Sequence, residues 1–176
     1  VPRCIDVTMT RDCKTGRCRR AGCLVCGDKI FRYGNYPYRV DIRRHPWKVQ
    51  CPHCKTWFPF NDFEAYWRSG IDEHGLFDPE RADRSLLYNA DHPDPKDPKH
   101  KWGVDDGFGF KAPNGFEYRW IAYYTWRLWR ELVQAAENLA YCYAFTGDVR
   151  YARKAAIILD RIADVYPDMD WAPYAR

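Results

Sequence analysis

The sequence predicts a mainly α fold, with long helices preceded by a small cysteine-rich β module. Three observations carry that expectation. Seven of the eight cysteines fall within the first 54 residues, four of them in two C-x-x-C pairs. The last third repeats apolar residues at steps of three and four, as a helix with a buried face does. The charge is uneven in the same sense. Residues 1–60 hold 13 Lys and Arg against 4 Asp, a net +9, whereas the remainder holds 15 basic against 20 acidic residues, a net −5. The division that follows is a module at 1–60 and a helical domain at 61–176, with a long loop at 89–115.

The two pairs are Cys23-Leu24-Val25-Cys26-Gly27 and Cys51-Pro52-His53-Cys54-Lys55. A two-residue gap lets both thiolates of a knuckle point at one ion. A small residue after the second Cys frees backbone amides to bond sulfur. Gly27 meets that condition and Lys55 departs from it. Twenty-four residues separate the pairs, slightly more than in most ribbons. Four thiolates in tetrahedral array suit Zn2+, and such closed sites are structural. Cys23, Cys26, Cys51 and Cys54 are therefore expected to hold structural zinc in a zinc-ribbon-like module. A disulfide framework is the competing reading. Cys4, Cys13 and Cys18 fit a disulfide with one thiol over, or a second metal site. Cys142 sits in a helical pattern and reads as a small buried apolar residue.

Within the module, Lys29-Ile30-Phe31-Arg32 and Trp47-Lys48-Val49-Gln50 alternate and read as short strands beside the knuckles. Asn61 reads as the N-cap of a short helix over 62–69, stopped by Gly70. Asp78-Pro79-Glu80 reads as a second helix start, running to Tyr88. Residues 89–115 are a loop: three X-Pro steps at 92–98 exclude helix, and Gly and aromatic residues punctuate 102–110. A helix is expected from about Phe116 to Phe145, on a stripe of Ile121, Tyr124, Leu128, Leu132, Ala135, Leu139 and Tyr143. Gly147 stops it and Asp148 caps the next helix. That helix carries Tyr151, Ala155, Ile158, Leu159, Ile162 and Tyr166 on one stripe and ends at Pro167. The two form an antiparallel hairpin. Each stripe is wider than one partner covers, so further helices are expected, from the same polypeptide or another chain. No run of about 18 apolar residues occurs, so no membrane span is predicted.

One string of residues carries a family resemblance. It comprises Cys51-Pro52-His53-Cys54, Phe58-Pro59-Phe60-Asn61-Asp62-Phe63, Ser69-Gly70, Phe77-Asp78-Pro79, Ala82-Asp83-Arg84-Ser85-Leu86-Leu87, His92-Pro93-Asp94-Pro95 and Gly103-Val104-Asp105-Asp106-Gly107. It resembles the N-terminal region of heparinase II/III-like polysaccharide lyases. The stretch from Leu139-Ala140-Tyr141 through Thr146-Gly147-Asp148 to Leu159-Asp160-Arg161 is similar to a helical hairpin of that family's toroid. The resemblance spans about residues 23–170. It implies the first helices of an (α/α) toroid whose cleft takes an acidic, uronic-acid-containing polysaccharide. It implies cleavage by β-elimination: a group neutralises the carboxylate, a base takes the adjacent proton, and a Tyr protonates the leaving oxygen. The family's catalytic Asn, His and Tyr match no position here. The remaining toroid and a β-domain are then partners, supplied by the same polypeptide or another chain. A periplasmic or extracellular location follows.

Candidate substrate contacts are Trp120, Tyr124, Arg127 and His92. Trp120, Tyr123, Tyr124, Trp126 and Trp129 crowd more than one face of a helix, so not all can be core. Arg119, Arg127 and Arg130 interleave with them and either bind a carboxylate or pair with Glu117 and Glu131. His92 and His100 either reach a cleft or bond within their turn. Asp105 and Asp106 lack a full calcium-loop spacing and read as backbone caps or Arg partners. Two other function classes remain open. One is a zinc-ribbon nucleic-acid-binding module, supported by the basic first third with Phe31, Tyr33, Tyr36, Tyr38 and Trp47, and opposed by an acidic helical part. The other is a non-catalytic carbohydrate-binding protein.

Overall fold

The computed structural model describes residues 22–34 and 36–168, and the backbone of 11–12 and 19–20. Cys4, Cys13 and Cys18 lie outside the described residues. The elements are β1 (Arg11–Asp12), β2 (Arg19–Arg20), β3 (Val49–Gln50), β4 (Trp57–Phe58), α1 (Phe63–Ser69), β5 (Phe110–Lys111), β6 (Glu117–Tyr118), α2 (Trp120–Thr146) and α3 (Val149–Val165). The strands form three antiparallel two-stranded ladders, β1–β2, β3–β4 and β5–β6. A mainly helical chain with small β ladders is the outcome expected from the sequence. No described helix is long and apolar enough to cross a membrane.

The core crosses position 60. Cys23, Ile30, Tyr38, Val49, Cys51 and Phe58 from the first segment pack with Ala112, Phe116, Tyr118, Trp120, Tyr123 and Tyr124 from the second. The register of β3–β4 pairs Val49 with Phe58 and sends both inward. Trp120 lies at the centre: its ring stacks at 4.8 Å on Phe58, 5.3 Å on Tyr118 and 6.0 Å on Phe110. The Tyr123 hydroxyl donates to the carbonyls of Tyr36 and Tyr38, at 2.7 and 3.1 Å, tying α2 to the cysteine-rich segment. A second cluster joins Phe63, Tyr66, Ala82, Leu87 and Ile121. Trp47 packs against both clusters.

Several expected elements come out differently. Residues 28–33 form a 3-10 turn rather than a strand. Gly27 stands at φ 58°, reversing the chain, and Ile30 alone of Lys29–Arg32 is fully buried. Four alternating residues are too few to separate the two periods. The cap of α1 is Asp62, which accepts from the Ala65 amide at 3.0 Å. Asn61 is buried instead and pairs with the Asp105 backbone, donating to its carbonyl at 3.0 Å and accepting from its amide at 2.9 Å. No helix spans 78–88. The Asp78 carboxylate takes the Glu80 amide and that of Asp83 takes the Ser85 amide, leaving only a 3-10 turn at Arg84–Leu86. Such side-chain bonds compete with helix.

The long helix begins at Trp120, not Phe116. Asn114-Gly115 makes a turn that closes the β5–β6 hairpin, with the Ala112 amide donating to the Phe116 carbonyl at 2.8 Å. The α2–α3 turn follows expectation. Gly147 takes φ 68° at the end of α2, and Asp148 accepts the Arg150 amide at 3.0 Å at the start of α3. α2 leaves the core at its midpoint and packs on α3 beyond it. Tyr141, Tyr143, Phe145, Ile157 and Leu159 are exposed there. Cys142 is exposed as well, contrary to the buried role expected of it.

Candidate metal centre

Both knuckles are built by the same local backbone. The amides of Cys23 and Gly27 each donate to the other's carbonyl, at 3.0 and 2.9 Å. In the second knuckle the Lys55 amide donates to the Cys51 carbonyl at 3.0 Å, and the Cys51 amide to the Thr56 carbonyl at 2.9 Å. Gly27 at φ 58° and Lys55 at φ 65° hold equivalent positions, both at positive φ. Lys55 therefore takes a conformation that L side chains disfavour. Its ammonium group donates to the Pro52 carbonyl at 2.8 Å, closing the knuckle from the other side. β3 runs into Cys51 and β4 leaves just after Thr56, so the ladder fixes the second knuckle. The first knuckle is held by its own tight turn, with Ile30 anchored in the core below it.

These turns bring the four sulfurs of Cys23, Cys26, Cys51 and Cys54 within 4.8 Å of one another. Cys23 and Cys54 lie 3.8 Å apart, and Cys26 and Cys51 lie 3.7 Å apart. All four are free thiols. Four thiolates at about 2.3 Å from one ion in a tetrahedron stand about 3.8 Å from each other, so the spacing fits a single ion. Disulfide bonds need sulfurs about 2.05 Å apart, and none joins these four. The group can hold a metal ion.

The electrostatics favour a cation at this point. Burial pushes the Cys23 thiol far up, and burial and the bond to Cys51 push Cys26 up to about 11. At Cys54 burial is outweighed by bonds with the Thr56 side chain and backbone, which bring that thiol down to about 7. Several thiolates cannot share this half-buried space unless a positive ion compensates them. The Val25 amide lies 3.5 Å from the Cys23 sulfur, as expected of a knuckle that offers amides to sulfur.

The candidate substrate contacts are scattered. Trp120 is 0% exposed and Tyr124 is 3% exposed, so both are core side chains and not cleft walls. Their apolar rings are what the first turns of α2 bury. His92 bonds within its own loop, Nδ1 to the Asp97 carboxylate at 2.8 Å, while its carbonyl meets His100 Nδ1 at 3.0 Å. Arg119 pairs with Glu117 at 2.7 Å. Arg127 lies on a rim, 3.9 Å from Glu131. Arg130 stands over the Trp126 ring at 5.3 Å. The Asp105 carboxylate accepts the amides of Gly107, Gly109 and Ile121 at 2.8, 3.1 and 3.0 Å, and Asp106 meets Arg84 at 3.4 Å. Asp105 thus caps the first turn of α2 from a loop; Arg119, at the cap position itself, makes no such bond.

Sequence reading did not single out Arg43, which lines an open groove together with Arg127. The only signal for it was a basic pair, Arg43-Arg44, directly after alternating apolar residues. Comparison with family models, curated proteins and solved structures returns no match to this chain.

Proposed function

We propose that Cys23, Cys26, Cys51 and Cys54 hold one structural zinc ion, and that the segment so closed begins a polysaccharide lyase. The observation carrying the zinc reading is the convergence of four free thiols within 4.8 Å of one another, with the Cys23–Cys54 and Cys26–Cys51 sulfurs 3.8 and 3.7 Å apart. Zinc is preferred because four sulfur donors in a closed site suit it best among common divalent ions. A four-thiolate site leaves no open position for substrate, so the ion's role is to fold the segment. Metal analysis of freshly purified, unchelated protein should give about one zinc per chain. A ratio near zero would sink this reading.

The lyase reading rests on the residue string from Cys51 to Gly107 and on the Thr146-Gly147-Asp148 hairpin. The chain is then the N-terminal part of an enzyme that cleaves uronic-acid polysaccharide by β-elimination, in the periplasm or outside the cell. Its catalytic groups lie in the remaining toroid and β-domain. The test is unsaturated-uronate formation, read by ultraviolet absorbance, on alginate, heparan, chondroitin and ulvan. This chain is run beside the complete open reading frame. Product from the complete protein alone supports the reading; silence from both overturns it.

One observation favours a second reading. Residues 22–60 carry seven Lys and Arg against two Asp, which suits a zinc-ribbon nucleic-acid-binding module. Affinity for an oligonucleotide that falls steeply with salt would move the weight there.

A further inference from the structure

The β3–β4 ladder has an outer face turned away from the core. Arg39 adds a third strand to it: the amides of Arg39 and Gln50 each donate to the other's carbonyl, at 2.9 and 2.8 Å. Side chains alternate between the two faces of such a sheet. Tyr38, Val49 and Phe58 point inward and are buried. Their neighbours Arg39, Gln50 and Trp57 therefore form a row on the outer face, in register across the three strands. Arg39 is exposed, and Gln50 and Trp57 are half-buried. The His45 ring lies on Trp57, with centres 4.0 Å and planes 32° apart. His45 is itself exposed, and Trp57 is its one ring partner among the described residues. The Gln50 side-chain amide donates to the Lys55 carbonyl at 2.9 Å, which sets the turn of the hairpin beside the row. The charge here is one-sided. Residues 34–60 hold five Lys and Arg against Asp41 alone. Lys48 turns inward onto the carbonyls of Pro59 and Asn61. Asp41 accepts the backbone amides of Arg43 and Arg44 at 3.3 and 3.1 Å. Arg39, Arg44 and Lys55 are exposed and make no ion pair among the described residues.

We propose that this face binds single-stranded nucleic acid, an assignment that rests on the nucleic-acid reading of the cysteine-rich segment and gives it a site. Two features select the occupant. Phosphates favour cations that no carboxylate has already neutralised, and Arg39, Arg44 and Lys55 meet that condition. The Trp57–His45 stack ends on an exposed ring, and an unpaired base extends such a stack face to face. Bases in a duplex are covered by their neighbours above and below, and offer a flat sheet only their edges and phosphates. An acidic polysaccharide satisfies the cations but does not complete a planar stack.

The experiment uses the freshly purified, unchelated chain and a fluorescently labelled oligo-dT of about twelve nucleotides, enough for one single-strand site. A blunt duplex of equal length and a heparan hexasaccharide are the comparisons. Anisotropy over a salt series gives the affinities. The oligo-dT should bind more tightly than either comparison, and its affinity should fall steeply with salt. Arg39→Gln and Arg44→Gln should each weaken it several-fold and reduce the slope of log affinity against log salt by about 0.7. His45→Ala, which removes the end of the stack, should weaken it about tenfold. Lys154→Gln, the same loss of charge at an exposed position of α3, should leave it unchanged. Equal thermal midpoints establish that each variant is folded. Salt-sensitive oligo-dT binding that the folded Arg39, Arg44 and His45 variants retain would remove this face and keep the nucleic-acid reading. Failure of the native chain to bind oligo-dT would remove both. Tighter binding of the duplex or of the hexasaccharide would overturn the single-strand assignment.

Discussion

At the scale of the residue, Lys55 and Asp105 show what the local pattern could and could not carry. The C-x-x-C spacing was enough to name the four cysteines that converge, because two intervening residues leave few ways to aim both sulfurs. The departure at Lys55 was legible too, but not its consequence. The knuckle demands a left-handed residue there, and Lys55 adopts φ 65° to supply it. Lys55→Gly is expected to raise stability by about 0.5–1 kcal/mol, less whatever the bond to the Pro52 carbonyl contributes. Urea denaturation of the zinc-loaded pair measures it; a loss of stability would mean that the side-chain bond outweighs the backbone strain. Asp105 was legible as a cap but not as a buried one. Burial pushes its carboxyl up to about 6, with Asp106 adding to the effect, against the pull of the Ile121, Gly107 and Gly109 amides. A folded-state value above the unfolded one means that the native protein binds this proton more tightly. The resulting stability is complete below pH 4 and is lost as pH rises through about 6. Asp105→Asn removes that dependence and sets an amide N–H against one of three backbone donors. The variant should be destabilised at all pH values. Its gap to wild type should be wider at pH 5 than at pH 7 by about 1 kcal/mol. A gap that widens with rising pH would show that the fold prefers the carboxylate.

Elements were legible where period and punctuation agreed, and lost where side chains took over the backbone's bonds. The α2–α3 hairpin had both signals: a long three-and-four repeat, then Gly147 and Asp148. A Cβ at Gly147 would meet nothing within 4 Å, so its glycine serves only the left-handed backbone. Gly147→Ala should therefore cost about 1 kcal/mol with no change in packing. Equal thermal midpoints for the two proteins would show that the turn tolerates Ala. The 78–88 stretch had a Pro at the right place for a helix start. Its Asp78 and Asp83 carboxylates captured nearby amides instead, and the chain turned. Residues 110–118 were hidden for another reason. Asn114-Gly115 is a hairpin signal, but it lies beside a strongly periodic helical stretch whose three-and-four repeat outweighs it. The groove between 40–43 and α2 is an arrangement of two elements far apart in sequence, and no local pattern announces such a meeting.

For the whole molecule, the decisive fact is that the two cysteine knuckles and the first turns of α2 share one core. Composition and charge suggested a division near residue 60, and those quantities are blind to packing across it. Cys23 and Cys51, 2% and 0% exposed, belong to the cluster that holds Trp120, Tyr123 and Tyr124. With zinc held there as proposed, its removal would leave four thiols that no longer draw the two knuckles together, and the walls around Phe58 and Trp120 would lose their fixed positions. Chelation should therefore do more than unfold a 60-residue appendage. It should lower the thermal midpoint and remove the near-ultraviolet circular dichroism of the packed aromatic rings in one transition. Far-ultraviolet helicity should fall less, because the distal half of α2 pairs with α3 away from the metal. Added zinc should restore both signals together. Two separate transitions, with aromatic signal persisting after the metal is gone, would instead mean that α2 and the 61–112 segment hold Trp120 without the knuckles. In that case the boundary near residue 60 would be a true division of the fold.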